Sequence, residues 1–229
     1  MNPINAQNYG FFLQLGHGAW VTLKLAFCAL PIGLSLGLLG MLAENSRIRL
    51  LRWMSITLIS SIRGVPELLV IFLIYFGGTI LLTTLAGKYV DFPAFTAGII
   101  ALGLLFSSYA SQVFRGAFLA VPIGQTEAGI ALGFNRCQIF FHIQLPQAWR
   151  HALPGLGNLW LVLLKDTALV SLIGVADLMN RAQTAASTTH QPFTFYLTAS
   201  AFYLLITSVS QLALNRLSRQ ANQHLKSCT

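Results

Sequence analysis

Among the ionisable side chains that stand inside stretches otherwise dominated by apolar residues, four are of interest: Arg63, Glu67, Lys165 and Asp166. A charge placed in lipid costs roughly 2.5 to 3.5 kcal/mol on insertion scales, so such residues mark either internal pairing or a polar pathway. Arg63 and Glu67 are four apart and would share one face of a regular helix, where each neutralises the other. Lys165 and Asp166 are adjacent and point about 100° apart on a helix of 3.6 residues per turn, so each looks to a partner elsewhere.

No enzyme chemistry accompanies them. The GxxxxGK[ST] loop, whose backbone amides cradle a nucleotide's phosphates, is missing: the one Gly-Lys pair, Gly87-Lys88, is followed by Tyr89. There is no GxSxG, no HExxH and no close pair of carboxylates, and the five histidines are dispersed as packing or interface residues. Cys28, Cys137 and Cys228 lie far apart without a CxxC pair, which points to neither a disulfide framework nor a metal site. The net charge of +8 comes from single basic residues between apolar runs, not from a basic stripe with interleaved aromatics, so nucleic acid is not the partner.

The elements that must hold the four charges are membrane helices. With 55% hydrophobic and 9% charged residues, the 229-residue chain carries too little charge to cover a soluble surface. A hydrocarbon core about 30 Å thick needs roughly 20 apolar residues per helix. Five segments qualify: Ala19–Ala43, Met54–Leu85, Phe95–Val121, Leu153–Val175 and Phe193–Leu214. The second is too long for one straight span, and Arg63-Gly64-Val65-Pro66 predicts a break, since Pro removes a backbone donor and collides with the preceding turn. The part before the break reads as a separate interfacial or re-entrant piece. Gly33 and Gly37, with Gly40, predict close helix contact, and Ser107, Ser108, Tyr109, Ser111 and Gln112 form a polar patch of the kind that joins membrane helices. The amino-terminal MNPINAQNYGFF has no basic n-region, so the first apolar segment is expected to stay in the mature chain.

Short-loop Lys and Arg set the orientation. Nine fall on one side: Arg47, Arg49, Arg52, Arg115, Arg136, Arg150, Arg216, Arg219 and Lys226. The other side holds Lys88 and Arg181, while Lys24, Arg63 and Lys165 fall within spans. The N-terminus is therefore expected in the periplasm and the C-terminus in the cytoplasm.

On the basic side, the stretch QTEAGIALGFNRCQIFFHIQLP from Gln125 to Pro146 is neither a span nor a short turn. Glu127 to Gly133 is compatible with a short helix ended by Gly. Asn135 then stands at an N-cap position with Gln138 three residues on, as in a capping box, and Ile139 and Ile143 share one face. Pro146 is expected to close the unit before the next span. The result is a helix-turn-helix hairpin at about residues 122–146 whose Phe134, Phe140 and Phe141 have no further layer of this chain to pack on, unless the hairpin lies on the bilayer surface.

Glu127-Ala128-Gly129, Gly133, Ile143 and Leu145-Pro146 resemble the EAA---G---------I-LP motif of ABC importer permeases, with Gly129 where the family has Ala. Ile62-Arg63-Gly64-Val65-Pro66-Glu67, Tyr109-Ala110-Ser111-Gln112 and Leu163 to Leu172 are similar to the polar amino-acid branch of that family (histidine, glutamine, arginine and opine importers), and Pro146 to Val170 to its arginine-importing members. The resemblance covers most of the chain. It implies an all-α membrane protein, a single permease domain over residues 1–229 with five transmembrane helices, of the type I ABC importer permease fold, in a bacterial inner membrane. It also implies that the hairpin is a coupling helix docking on a cytoplasmic ABC ATPase dimer, with Glu127, Ala128, Gly129, Gly133, Ile143, Leu145 and Pro146 carrying contact and shape. Gly129 would leave that helix thinner and less rigid than Ala, by about 1 kcal/mol of propensity.

Further partners follow from the resemblance: a periplasmic amino-acid-binding protein, and a second permease chain, either a paralogue or another copy of this one, since five spans are few for a whole pathway. ATP and Mg would be bound by the ATPase and no cofactor by this chain. Arg63, Glu67, Lys165 and Asp166 are then the candidates for the substrate pathway: Glu67 or Asp166 attracting the side chain of a basic amino acid such as arginine, and Arg63 or Lys165 its carboxylate. Two other classes fit the composition: an ion-gradient-driven carrier subunit, for which no internal repeat is found, and a non-transporting membrane scaffold.

Overall fold

The computed structural model describes residues 3–222; Lys226 and Cys228 lie outside them. Every regular element among the described residues is helical. In chain order these are α1 (Pro3–Glu44), α2 (Arg49–Gly64), α3 (Glu67–Ala86), α4 (Ala94–Leu119), α5 (Ile123–Ala131), α6 (Arg136–Gln138), α7 (Leu145–Val170), α8 (Leu178–Thr189) and α9 (Pro192–Asn222). A π-helical turn, Ile139–Gln144, joins α6 to α7, and a 3-10 turn, Ser171–Ile173, follows α7.

Five helical stretches are long and apolar enough to cross a membrane: Gly10–Glu44, Glu67–Ala86, Ala94–Leu119, Arg136–Ile173 and Pro192–Arg219. They correspond to the five expected from hydropathy; the second begins only after the expected break, the fifth runs past Leu214 to Arg219, and the first and fourth start early. The first starts earlier than Ala19, because α1 runs on to pack Phe11 edge-to-face on Phe195 of α9. The fourth starts well before Leu153. Pro146 does not close the hairpin there; it sits in the first turn of α7, where a missing backbone donor is tolerated. The preceding π turn, in which the Leu145 amide donates to the Phe140 carbonyl, widens the helix enough to carry it through.

The break in the second segment falls where the Gly-Val-Pro sequence places it. α2 ends at Gly64, Val65 and Pro66 are extended, and α3 begins at Glu67. α2 is not among the candidate spans. Its Leu50, Leu51, Trp53 and Leu58 are exposed, and only Ile59 is buried, against Gly40 of α1.

The centre of the molecule is α1 packed along α4. Lipid tails are as apolar as the side chains, so close van der Waals fit must hold the two helices together. Glycine supplies it from both sides: a Cβ at Gly33 would overlap Phe106, one at Gly37 would come within 2.8 Å of the Ala110 Cβ, and one at Gly103 within 2.9 Å of Ile32. These pairs rise together in sequence, so α1 and α4 run parallel. α7 runs antiparallel to α4, with Gly98 against Val170 and Gly155 against Val113, and α9 antiparallel to α7, with Gly157 against Leu214. The α1–α2 turn, the hairpin and the end of α9 therefore lie at one end of the bundle. At the other end lie the α3–α4 loop and α8.

α8 carries no hydropathy signal of a span. Its twelve residues are too few and too polar to register as a span, yet Leu178, Ala182, Ala185 and Ala186 bury one face. Asp177 caps it, accepting from the Asn180 amide at 2.9 Å, and the Leu178 amide donates to Thr22 Oγ1 of α1 at 3.2 Å. Gly18 admits this approach, since a Cβ there would lie 2.8 Å from the Asp177 carbonyl oxygen.

Candidate functional site

Two sites emerge, one within the bundle and one at its hairpin end. In the first, the α2–α3 break moves Arg63 and Glu67 off a common helix face. They form no ion pair; the single salt bridge among the described residues joins Arg115 Nη1 to Glu44 Oε2 at 3.5 Å. The helical spacing argument fails because Pro66 interrupts the helix between them. Instead both address Tyr109 of α4. The Arg63 guanidinium carbon lies 5.4 Å from the Tyr109 ring centroid, in cation–π range, and the Tyr109 hydroxyl donates to Glu67 Oε1 at 3.4 Å.

Asp166 joins the same locality from α7. It lines a small void with Tyr109, Phe106, Leu159, Val162 and Leu163, and is half-buried, whereas its neighbour Lys165 is exposed. Tyr109 thus contacts Arg63 and Glu67 and borders the same void as Asp166, so three charges from three helices gather around it. Sequence reasoning grouped it with the serines as helix glue. The serines behave otherwise as well: Ser107 and Ser108 donate to carbonyls of their own helix, Leu104 and Leu105, at 2.7 Å, and contribute small size rather than cross-helix bonds. Gln112 does reach across, donating to Glu44 Oε1 at 3.2 Å. With Arg115 it holds the carboxylate of Glu44, whose side chain is 2% exposed, and ties the end of α1 to the last turns of α4.

The second site is the hairpin. Asn135 and Gln138 form the reciprocal capping box, each bond 2.9 Å. Gly133 turns the chain at φ +81, a left-handed conformation with open space around it, so its role is backbone shape. Gln144 bridges the two arms by donating to Thr126 Oγ1 at 3.1 Å. Glu127 and Ala128 are exposed; Gly129 is buried. A Cβ at Gly129 would fall 2.7 Å from Ile143 Cδ1 and 3.2 Å from Ile139 Cγ1. Glycine here is therefore a close-packing position between the arms, not a thin spot on the outer surface, and Ile143 packs inward beneath it. Phe140 also finds a partner within the chain, stacking on Phe118 of α4 at 5.4 Å and 5°. Phe134 and Phe141 are exposed, as are Ile123, Ile130 and Leu132. Leu145 is half-buried and Pro146 exposed at the base of α7.

Residues 30–223 match the family described as "Binding-protein-dependent transport system inner membrane component". Among curated proteins, the chain is 46% identical over 229 residues to the arginine ABC transporter permease protein ArtQ of Escherichia coli (strain K12), covering 93% of this chain and 96% of that protein. It is 40% identical to the histidine/lysine/arginine/ornithine transport system permease protein HisQ of the same strain, covering 95% and 97%. A solved structure described as "Crystal structure of an amino acid ABC transporter with histidines" superposes with a TM-score of 0.82 at 34% identity, covering 96% of this chain and 99% of that one.

Proposed function

Because the chain belongs to the family of binding-protein-dependent transport system inner membrane components, we propose that it admits arginine, or basic amino acids more broadly, through the bundle, driven by a separate ATPase. It is a multi-pass inner-membrane permease subunit of an amino-acid ABC importer, as are its relatives. Nothing favours an ion-gradient carrier.

The observation that carries the mechanism is the continuous helix from Arg136 to Ile173, 38 residues without a break. Its α-helical part, α7, has 26 residues and is about 39 Å long at 1.5 Å per residue. One end is the second arm of the hairpin and the other carries Lys165 and Asp166, so motion imposed on the hairpin is delivered along a single rod to the charged centre. The hairpin's exposed Ile123, Ile130, Leu132, Phe134 and Phe141 offer the apolar contact for a cytoplasmic ABC ATPase dimer, with Glu127 and Ala128 at its surface. That end is the cytoplasmic one in this reading, since the described basic residues of the short loops concentrate there and leave only Lys88 and Arg181 opposite. The N-terminus is then periplasmic, where a binding protein delivers the amino acid. ATP and Mg bind the ATPase, since this chain has no P-loop.

In this reading Glu67 or Asp166 attracts the cationic side chain and Arg63 or Lys165 its carboxylate, with Tyr109 in contact with both Glu67 and Arg63. A second permease chain, a paralogue or a second copy, completes the pathway. Affinity purification of the chain from its native membrane tests the coupling: a P-loop ATPase should accompany it and be lost on replacing Glu127 and Gly133, and recovery of this chain alone would sink the proposal. Uptake by Glu67→Gln and Asp166→Asn tests the pathway, which would be abandoned if both kept wild-type rates and preference for arginine over glutamine.

A further inference from the structure

At the end of the bundle opposite the hairpin, four helices bring polar side chains to one buried junction that the transport pathway does not use. Thr22 of α1, Thr167 of α7 and Asp177, the cap of α8, are each 0% exposed. α9 adds Tyr203, whose hydroxyl lies beside both threonines without closing a bond to either and feels the charge of Asp177. The Leu178 amide, next to Asp177, donates to Thr22 Oγ1 and so fixes the cap against α1. Among the described residues, three buried side-chain atoms have no hydrogen-bond partner: Asp177 Oδ2, the Tyr203 hydroxyl oxygen and Arg181 Nε of α8.

Burying a polar atom without a partner is costly, so a junction that gathers several calls for a group that completes them. The donors and acceptors select that group. Asp177 Oδ1 accepts from the Asn180 amide at 2.9 Å, which leaves Oδ2 as a bare acceptor. Thr167 Oγ1 gives its proton to the Leu164 carbonyl at 2.7 Å and keeps lone pairs. Thr22 Oγ1 accepts from the Leu178 amide at 3.2 Å and keeps its own proton, and the Tyr203 hydroxyl has a proton to give. Two protons and two acceptors therefore remain, the complement of one water molecule, and buried waters make two to four such bonds. A metal cation fits less well. It would engage the lone pairs but leave both protons unplaced, and it would find a single carboxylate, since no group of three His, Cys, Asp or Glu stands together among the described residues. Arg181, one turn along α8, already supplies positive charge. Water also serves either protonation state of Asp177, donating to the carboxylate or accepting from the carboxyl.

We propose that this junction is the binding site of one ordered water molecule, which accepts from the Tyr203 and Thr22 hydroxyls and donates to Asp177 Oδ2 and Thr167 Oγ1. The water fastens the cap of α8 to α1, α7 and α9 at once, and the site stands whatever amino acid is transported.

The test is radiolytic hydroxyl labelling of the intact wild-type transporter in nanodiscs, read by mass spectrometry, because a radical formed from a bound water marks the side chain it touches even where bulk solvent does not reach. Phe195, buried on the same helix, is the dry control, and Tyr89, exposed in the α3–α4 loop, is the solvent control. Tyr203 should be labelled several-fold faster than Phe195. After rapid dilution into water enriched in the heavy oxygen isotope, Tyr89 should carry the heavy isotope at once, while Tyr203 should still carry the light one and exchange slowly. The result should be the same in sodium, potassium and choline chloride. Labelling of Tyr203 no faster than that of Phe195 would overturn the site and leave Tyr203 closing directly on Asp177. Isotope uptake at Tyr203 as fast as at Tyr89 would make the junction open to solvent, and dependence on sodium or potassium would make it a cation site; either result also sinks the proposal.

Discussion

Replacing Gly37 by alanine isolates the packing that holds the bundle together. The new Cβ would lie 2.8 Å from the Ala110 Cβ, 3.2 Å from the Ser107 carbonyl oxygen and 3.3 Å from the Ser111 amide nitrogen. Carbon atoms rest at about 3.5–4.0 Å, so α1 and α4 must separate by roughly 1 Å, and a gap of that size forfeits a quarter to a half of each dispersion contact along it. None of the three atoms is the end of a flexible side chain, so rotamer change gives no relief. Overpacking of this kind costs about 1–3 kcal/mol, offset by about 1 kcal/mol of helix propensity gained on leaving glycine. Gly77→Ala in α3 is the control: it gains the same propensity and meets nothing within 4 Å. The difference between the two variants is then the overpacking alone, about 2 kcal/mol, or roughly 4–8 °C in melting temperature for a chain of this size. Melting in detergent, followed by loss of the monodisperse peak on size exclusion, measures it. Ala110→Gly added to Gly37→Ala removes the closest contact and leaves the two backbone contacts, so it should recover part of the loss. If Gly37→Ala melts within ~1 °C of Gly77→Ala, the parallel α1–α4 contact is not where the stability lies.

Burial pushes the Asp177 carboxyl up to about 6 against the opposing effect of the Asn180 and Met179 amides. Its folded pKa is above its unfolded value, so its contribution to stability is present below about pH 4 and lost as pH rises through 6; melting temperature should fall over that window and Asp177→Asn, which keeps an oxygen for the Asn180 amide, should flatten the fall. Tyr109→Phe removes the hydroxyl from Glu67; at 3.4 Å that bond contributes on the order of 1 kcal/mol, so uptake should drop about fivefold while the ATPase still co-purifies. Asn135→Ala dismantles the capping box at a cost of about 1 kcal/mol, which should appear as faster amide exchange at residues 136–139, with slopes elsewhere unchanged.

Legibility followed the range of the interaction. The break at Gly64-Val65-Pro66 and the capping box at Asn135 and Gln138 were readable because proline geometry and an N-cap depend on residues within one turn. The glycines of α1 announced a close helix, though not which one. Arg63 and Glu67 do not form the pair that their spacing allows for the opposite reason: periodicity assumes an unbroken helix, and the break predicted from the same residues cancels it. Tyr109 was passed over because a hydroxyl takes its meaning from what faces it, forty-two residues away in Glu67. α8 escaped because hydropathy rewards length and uniform apolarity, while its buried face is four residues on a short polar helix.

The amino-acid sequence by itself determined that the chain is a five-span membrane protein, that its basic loops gather at one end, and that a capped hairpin stands there. These follow from composition, proline chemistry and local capping, each settled within a short window of chain. Only the tertiary structure decided that Arg63 and Glu67 meet at Tyr109 rather than each other, that Gly129 is a contact between the hairpin arms, and that one continuous helix joins the hairpin to Asp166. Those depend on which helix lies against which, and in lipid that is settled by the fit of surfaces, not by hydrophobicity.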